Sequence, residues 1–150
     1  MFILSGCGGG TSQEPNSTRV LHGPGFTFTA PRDWSASRSA HATVARRGGS
    51  EVSATAFTLL KPYRPSLFTA AAKELDGIAE RLAAQAGETL SERSTTTVDG
   101  KRIRAYRFGT TKIGFVLDGK REFQLLCRMP PEGTDADGAC GLLFSTFTVS

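Results

Sequence analysis

Two Asp-Gly pairs, Asp99-Gly100 and Asp118-Gly119, each lie between runs in which apolar and polar residues alternate. Alternation with a period of two is the pattern of a half-buried strand, and Asp-Gly supplies the positive φ angles that a tight hairpin turn requires. The second half of the chain therefore reads as an antiparallel meander over Thr89–Val98, Lys101–Phe108, Lys112–Leu117 and Glu122–Met129. A sheet of this kind needs a cover for at least one face.

Ser66–Ala86 supplies one cover. Phe68, Ala71, Leu75, Ile78 and Leu82 recur at three- and four-residue steps, a single apolar stripe down a helix. Ser66 is the expected N-cap and Gly87 the expected stop. Gly77 inside the helix is expected to let it sit close to the sheet. Upstream, Phe26 and Phe28 alternate with Thr27 and Thr29 until Pro31 interrupts the ladder; Asp33 and Trp34 turn, with Trp34 packing over the sheet edge. His41–Arg46 and Glu51–Leu59 form a hairpin about Gly48-Gly49, and Lys61-Pro62-Tyr63-Arg64-Pro65 breaks the pattern and crosses over. Near the end, Cys140, Leu143, Phe144 and Phe147 share the face of a short helix behind Asp135 or Asp137, and Thr146–Val149 finishes extended. The fold class is α+β, an antiparallel sheet of about six or seven strands flanked by one long helix and one short C-terminal helix.

At the other end, Leu4-Ser5-Gly6-Cys7 resembles a bacterial lipobox. The resemblance implies that the Cys7 thiol is the site of lipidation and that the chain is cut just before it. Residues 1–7 then read as the remnant of a lipoprotein signal peptide, residues 8–21 as a flexible Gly-, Ser- and Thr-rich linker, and residues 22–150 as one globular domain. The apolar stretches Phe2–Leu4 and Gly141–Phe144 are far shorter than a membrane-spanning helix. With Cys7 assigned, Cys127 and Cys140 remain as an even pair. In an exported protein such a pair reads as a disulfide; two buried free thiols in a cytosolic protein are the competing reading.

With this order in hand, Gly25, Phe26, Phe28, Pro31 and Trp34 at one end and Cys140, Leu142, Leu143, Ser145 and Phe147 at the other resemble the PsbP/Mog1-like superfamily, in particular its small actinobacterial lipoproteins. The resemblance implies an α/β/α sandwich and a non-enzymatic binding or assembly factor. It carries over no ligand site residue by residue.

Catalytic and metal chemistry find little support in the residues. His22 and His41 are far apart, with no carboxylate at ligand spacing. Cys127 and Cys140 lack the companions of a zinc site. Asp135-Ala136-Asp137-Gly138 fails as a calcium loop, because its Gly is early and the twelfth position is Thr146. No serine sits in a Gly-x-Ser-x-Gly turn, and Gly8-Gly9-Gly10 lacks the strand and helix of a phosphate loop. No cofactor or metal is expected.

The charge is uneven. The chain carries a net +4, and Lys101–Arg128 holds eight basic residues against Asp118 and Glu122. Arg102, Arg104, Arg107, Lys112 and Arg128 form a candidate patch for anionic envelope material, against the plainer reading of a solvated face. Nucleic acid is disfavoured, since only Tyr106 and Phe108 lie among the charges to stack on bases. The sequence thus favours a membrane-anchored binding or assembly module on the extracytoplasmic face, holding an envelope protein or a small ligand. An envelope enzyme or its accessory subunit, and a surface-presenting module acting through the basic meander, are the alternatives.

Overall fold

The computed structural model describes residues 17–130 and 135–150. Cys7, the linker before Ser17 and the Pro131-Glu132-Gly133 part of the late loop lie outside them.

The elements are β1 (Thr18–Gly23), β2 (Phe26–Pro31), β3 (Ser35–Arg38), β4 (Ala42–Arg47), β5 (Ser50–Tyr63), α1 (Phe68–Gln85), β6 (Glu92–Val98), β7 (Lys101–Phe108), β8 (Thr111–Arg128), α2 (Ala139–Thr146) and β9 (Thr148–Val149). They build three layers. A six-stranded sheet of order β3-β4-β5-β8-β7-β6 lies in the middle, α1 covers one face, and a three-stranded sheet β1-β2-β9 with α2 covers the other. All paired strands are antiparallel. The α+β class holds, but the Phe26–Pro31 strand belongs to a separate small sheet and not to the main one.

The linker assignment needs correction. Thr18–Gly23 is a strand, paired with β2 from Thr18↔Pro31 to Gly23↔Phe26. Only Leu21 of this strand is buried, while Val20 stays exposed. A strand that commits one apolar residue to the core looks, by composition, like linker. The domain therefore starts by Thr18, before the expected boundary.

Asp99-Gly100 makes its hairpin: both residues have positive φ, at 53° and 72°, as a type I′ turn requires. Asp118-Gly119 does not. Only Gly119 takes a positive φ, 60°, and the chain runs on as the single 18-residue strand β8. The first part of β8 pairs with β7 from Thr111 to Phe115, and the second part pairs with β5 from Arg121 to Arg128. Between Thr58↔Arg121 and Tyr63↔Gly119 the register slips, so Leu59, Leu60, Lys61 and Pro62 bulge opposite Lys120 alone. The irregularity also reverses the phase of β8. Ile113, Phe115 and Leu117 face α1, whereas Phe123, Leu125 and Cys127 face the small sheet. A change of one position exchanges the two faces of a strand.

The core beside the small sheet is built on Phe26, Phe28, Phe123 and Phe147, with ring centroids 5.5–6.3 Å apart along the cluster. Trp34 lies within this core at 1% exposure, and its Nε1 donates to Asp137 Oδ2 at 3.0 Å. Cys127 of β8 and Cys140 of α2 are joined by a disulfide, with Cα atoms 5.6 Å apart. A loop of this length closed covalently contributes about 3 kcal/mol on the chain-entropy view.

On the opposite face, α1 rests on Tyr106, Phe108, Ile113 and Phe115 through Leu75, Ala79 and Ala83. The helix enters through a 3-10 turn at Pro65–Leu67, so Ser66 lies inside that turn and does not cap. It ends as expected at Gly87, whose φ is 74°; Gly87 N donates to Ala84 O and Glu88 N to Ala83 O, the paired bonds of a Schellman motif. The close approach to the sheet is made by Ala79 and Ala83. At Gly77 an added Cβ would meet only the Arg81 side chain, at 3.7 Å. Gly77→Ala is accordingly expected to stabilise the fold by about 0.5–1 kcal/mol through helix propensity, read as an increase in the urea unfolding midpoint.

Candidate functional site

The basic residues of the meander do not form one face. Arg102 and Arg104 point to the α1 side of β7, where Arg102 lies 4.1 Å from the Phe68 ring centroid. Arg107 and Lys112 oppose each other across the β7–β8 ladder on the other face; Arg107 pairs with Glu92 at 3.0 Å and Lys112 sits 4.3 Å from the Phe144 ring centroid. Arg128 stands at the far end of β8, 3.6 Å from Glu51. Strand alternation and the reach of β8 disperse what proximity in sequence had suggested was a patch. His22 and His41 are both exposed, and no group of His, Cys, Asp and Glu suited to a metal ion occurs among the described residues.

Arg104 instead joins a polar cluster that fastens α1 to the sheet. Asp76 Oδ1 accepts from Arg104 Nη2 at 3.0 Å, Arg104 Nε at 3.3 Å and the Tyr106 hydroxyl at 2.5 Å. Arg93 approaches Asp76 Oδ2 at 3.7 Å and bonds Glu80 at 2.6 Å. Burial pushes the Asp76 carboxyl up, but the hydrogen bonds from Tyr106 and Arg104 outweigh it and hold the acid below its usual 3.8. Burial, reinforced by Asp76, drives the Tyr106 phenol far above its usual 10.0. The phenol is thus a fixed donor, its oxygen occupied by a carboxylate and its ring packed edge-on against Phe115 at 6.0 Å. Neither of the hollows described next is lined by any member of this cluster. Its work is to hold the helix.

The open space lies at one end of the sheet, where the β5 bulge, the start of α1, the β6–β7 turn and the β8 kink converge. Two adjoining hollows share Tyr63 and Leu117. One, of about 260 Å³, is walled by Leu59, Leu67, Ala71, Leu75, Ile78 and Leu117, with Lys61, Glu74 and Glu122 also on its lining. The other, of about 360 Å³, is bounded by Tyr63, Phe68, Lys101, Arg102 and Asp118. The Glu122 side chain makes no hydrogen bond or ion pair among the described residues, and burial raises its carboxyl above the usual 4.5. Burial likewise raises the Tyr63 phenol, with Arg102 opposing. The smaller groove is therefore walled mainly by apolar side chains, with Lys61, Glu74 and a raised Glu122 carboxyl among them; this is the chemistry of binding an apolar body.

The groove was not foreseen from the residues. In the sequence Lys61–Pro65 reads as a crossover and Glu122 as one of two acids in a basic stretch. The signal present was the loss of alternation at Leu59-Leu60-Lys61-Pro62, where a bulge opens the sheet.

No protein-family model matches the chain, and no curated protein matches it in sequence. Among solved structures it is similar to the solution structure of the cyanobacterial PsbP protein CyanoP from Synechocystis sp. PCC 6803, with a TM-score of 0.62 over 98% of this chain and 99% of that one. The fold is PsbP-like. Sequence identity with CyanoP is 14%, so the likeness is one of architecture. A crystal structure from Bacteroides thetaiotaomicron VPI-5482 is also similar, with a TM-score of 0.50 and 12% identity, over 89% of this chain and 48% of that chain.

The clamp on α1 has a measurable signature. Asp76→Asn is expected to lower stability at neutral pH by about 1–3 kcal/mol, since buried donors lose a charged acceptor. The folded acid titrates below 3.8, so its contribution is present above that pH and is lost as pH falls through the folded value. Urea titrations should show the gap between parent and variant closing in acid.

Proposed function

We propose that this protein is a non-catalytic binding module, anchored through Cys7 to the extracytoplasmic face of a cell membrane, whose groove between the β5 bulge and α1 receives an apolar ligand or an apolar segment of an envelope protein. The observation that carries the reading is the groove itself: Leu59, Leu67, Ala71 and Ile78 line an opening of about 260 Å³ whose walls are mainly apolar. Burial raises two acids on its lining, the Glu122 carboxyl and the Tyr63 phenol, and no hydrogen bond or ion pair among the described residues joins either to Lys61 or Glu74 as an acid–base pair. General acid–base or nucleophilic chemistry needs a base, a nucleophile and an orienting group in mutual reach. A binding surface needs none of these.

The disulfide between Cys127 and Cys140 supports an oxidising compartment, and the Leu4-Ser5-Gly6-Cys7 motif supports the anchor. The fold shared with CyanoP supports placing the protein among small accessory domains.

Two measurements test this. A neutral lipophilic fluorophore, N-phenyl-1-naphthylamine, should brighten with the protein and fail to do so with Ala71→Trp, which fills the groove. Its affinity should rise as pH falls through the raised titration of Glu122, because a protonated acid leaves the groove less polar, and Glu122→Gln should hold the high-affinity value at every pH. Equal brightening by the filled variant would move the site elsewhere. Cys7→Ala, expressed in a bacterium that processes lipoproteins, should shift the protein from the membrane to the soluble extracytoplasmic fraction. Retention at the parent's level would refute the anchor.

A further inference from the structure

Leu60 stands at the outer turn of the β5 bulge with 99% of its surface exposed, and Leu67, at the entry to α1, is 46% exposed. Isolated exposed leucines are ordinary. This one is set in a different environment, because the cations around it are unmatched. Lys61 and Arg64 on the loop and Lys120 opposite the bulge make no ion pair or hydrogen bond through their side chains among the described residues. Arg102, beyond Tyr63, is held only against the Phe68 ring. By contrast Arg46, Arg47, Arg93, Arg107 and Arg128 each meet an acid within 4 Å.

We propose that the β5 bulge docks on an anionic lipid surface, with Leu60 entering the headgroup–acyl boundary and Lys61, Arg64 and Lys120 facing the lipid charges. An exposed apolar tip with unpaired cations beside it in the chain and on the facing strand is the pattern of interfacial attachment. The geometry favours a lipid surface over a folded acidic partner, because Leu60 is convex and uncovered. A deformable surface admits such a tip without a matching pocket. Of the acids that share hollows with the loop, Asp118 is paired with Arg121 at 2.9 Å, while Glu74 and Glu122 line the groove and Glu122 is partly buried there. Pro62 and Pro65 restrict the backbone that follows Leu60 and Lys61 and hold Tyr63-Arg64 between them, which limits the freedom lost on docking. The proposal does not rest on lipidation of Cys7, nor on occupancy of the groove.

The test uses the full chain carrying Cys7→Ala, so that no acyl chain contributes. Co-sedimentation is measured with vesicles of phosphatidylcholine alone and of phosphatidylcholine mixed with phosphatidylglycerol. Binding is expected only to the mixed vesicles and should weaken with added salt. Lys61→Ser with Arg64→Ser should reduce the partition coefficient about thirtyfold, and Leu60→Ser about tenfold. Leu60→Trp should show a blue-shifted emission component on the mixed vesicles against the buried Trp34 background. Because these side chains are exposed, the circular dichroism spectrum and urea midpoint serve as controls for folding. Equal binding to both vesicle types, no binding, or binding unchanged by the Leu60 and Lys61/Arg64 variants would each overturn the proposal. Self-association that depends on Leu60, without vesicle binding, would assign the loop to a second copy of the chain and overturn it as well.

Discussion

Everything in this domain depends on β8 serving two partners. A strand of 18 residues is far longer than the usual strand, and its halves pair with different neighbours, β7 and β5. Backbone hydrogen bonding alone would let it run with one set of side chains on each face. The positive φ of Gly119 changes that. By reversing the phase, it sends Phe115 and Leu117 to the helix side and Phe123 and Leu125 to the small-sheet side. Both cores are thereby furnished from one strand.

The same irregularity makes the space a ligand could use. Regular pairing of β5 and β8 would close the sheet against α1. Instead four residues of β5 stand off opposite Lys120, and the standoff leaves Leu59, Leu117 and Glu122 facing the first turns of the helix. Asp76, Arg104 and Tyr106 then fix how near the helix comes. A charged cluster at the helix–sheet seam adds little net stability compared with apolar packing. Its value is in setting position, since its bonds are directional where contacts among Leu75, Ala79 and Ala83 are not.

Local signals were legible in the residues and long-range ones were not. Gly48-Gly49 and Asp99-Gly100 marked true hairpins, and the stripe from Phe68 to Leu82 located α1 to within two residues at its start and one at its end. The leftover pair Cys127 and Cys140 is joined. Asp118-Gly119 carried the same two letters as a hairpin turn, yet the choice between a turn and a bulge was made by β5, nearly sixty residues away. β1 was hidden because only Leu21 enters the core. β3 was missed for a similar reason: Ser35–Arg38 buries nothing and is held by its ladder with β4. The groove was invisible because no contiguous stretch encodes it. Alternation along the strand already separates Arg102 and Arg104 from Lys101 and Arg107, and the length of β8 carries Arg128 away from both.

The small sheet closes last in the chain and first in neither layer. β2 borrows β9 as its partner, Thr29 N donates to Thr146 Oγ1, and Trp34 reaches Asp137, pairings that span more than a hundred residues. As the chain emerges during synthesis, Phe26, Phe28 and Trp34 exist long before the residues that bury them. Contacts of such sequence separation fold slowly and leave aromatic surface bare in the interval. The chain is therefore adhesive until its last residues arrive, and it is α2 and Phe147 that cover Phe26, Phe28 and Trp34.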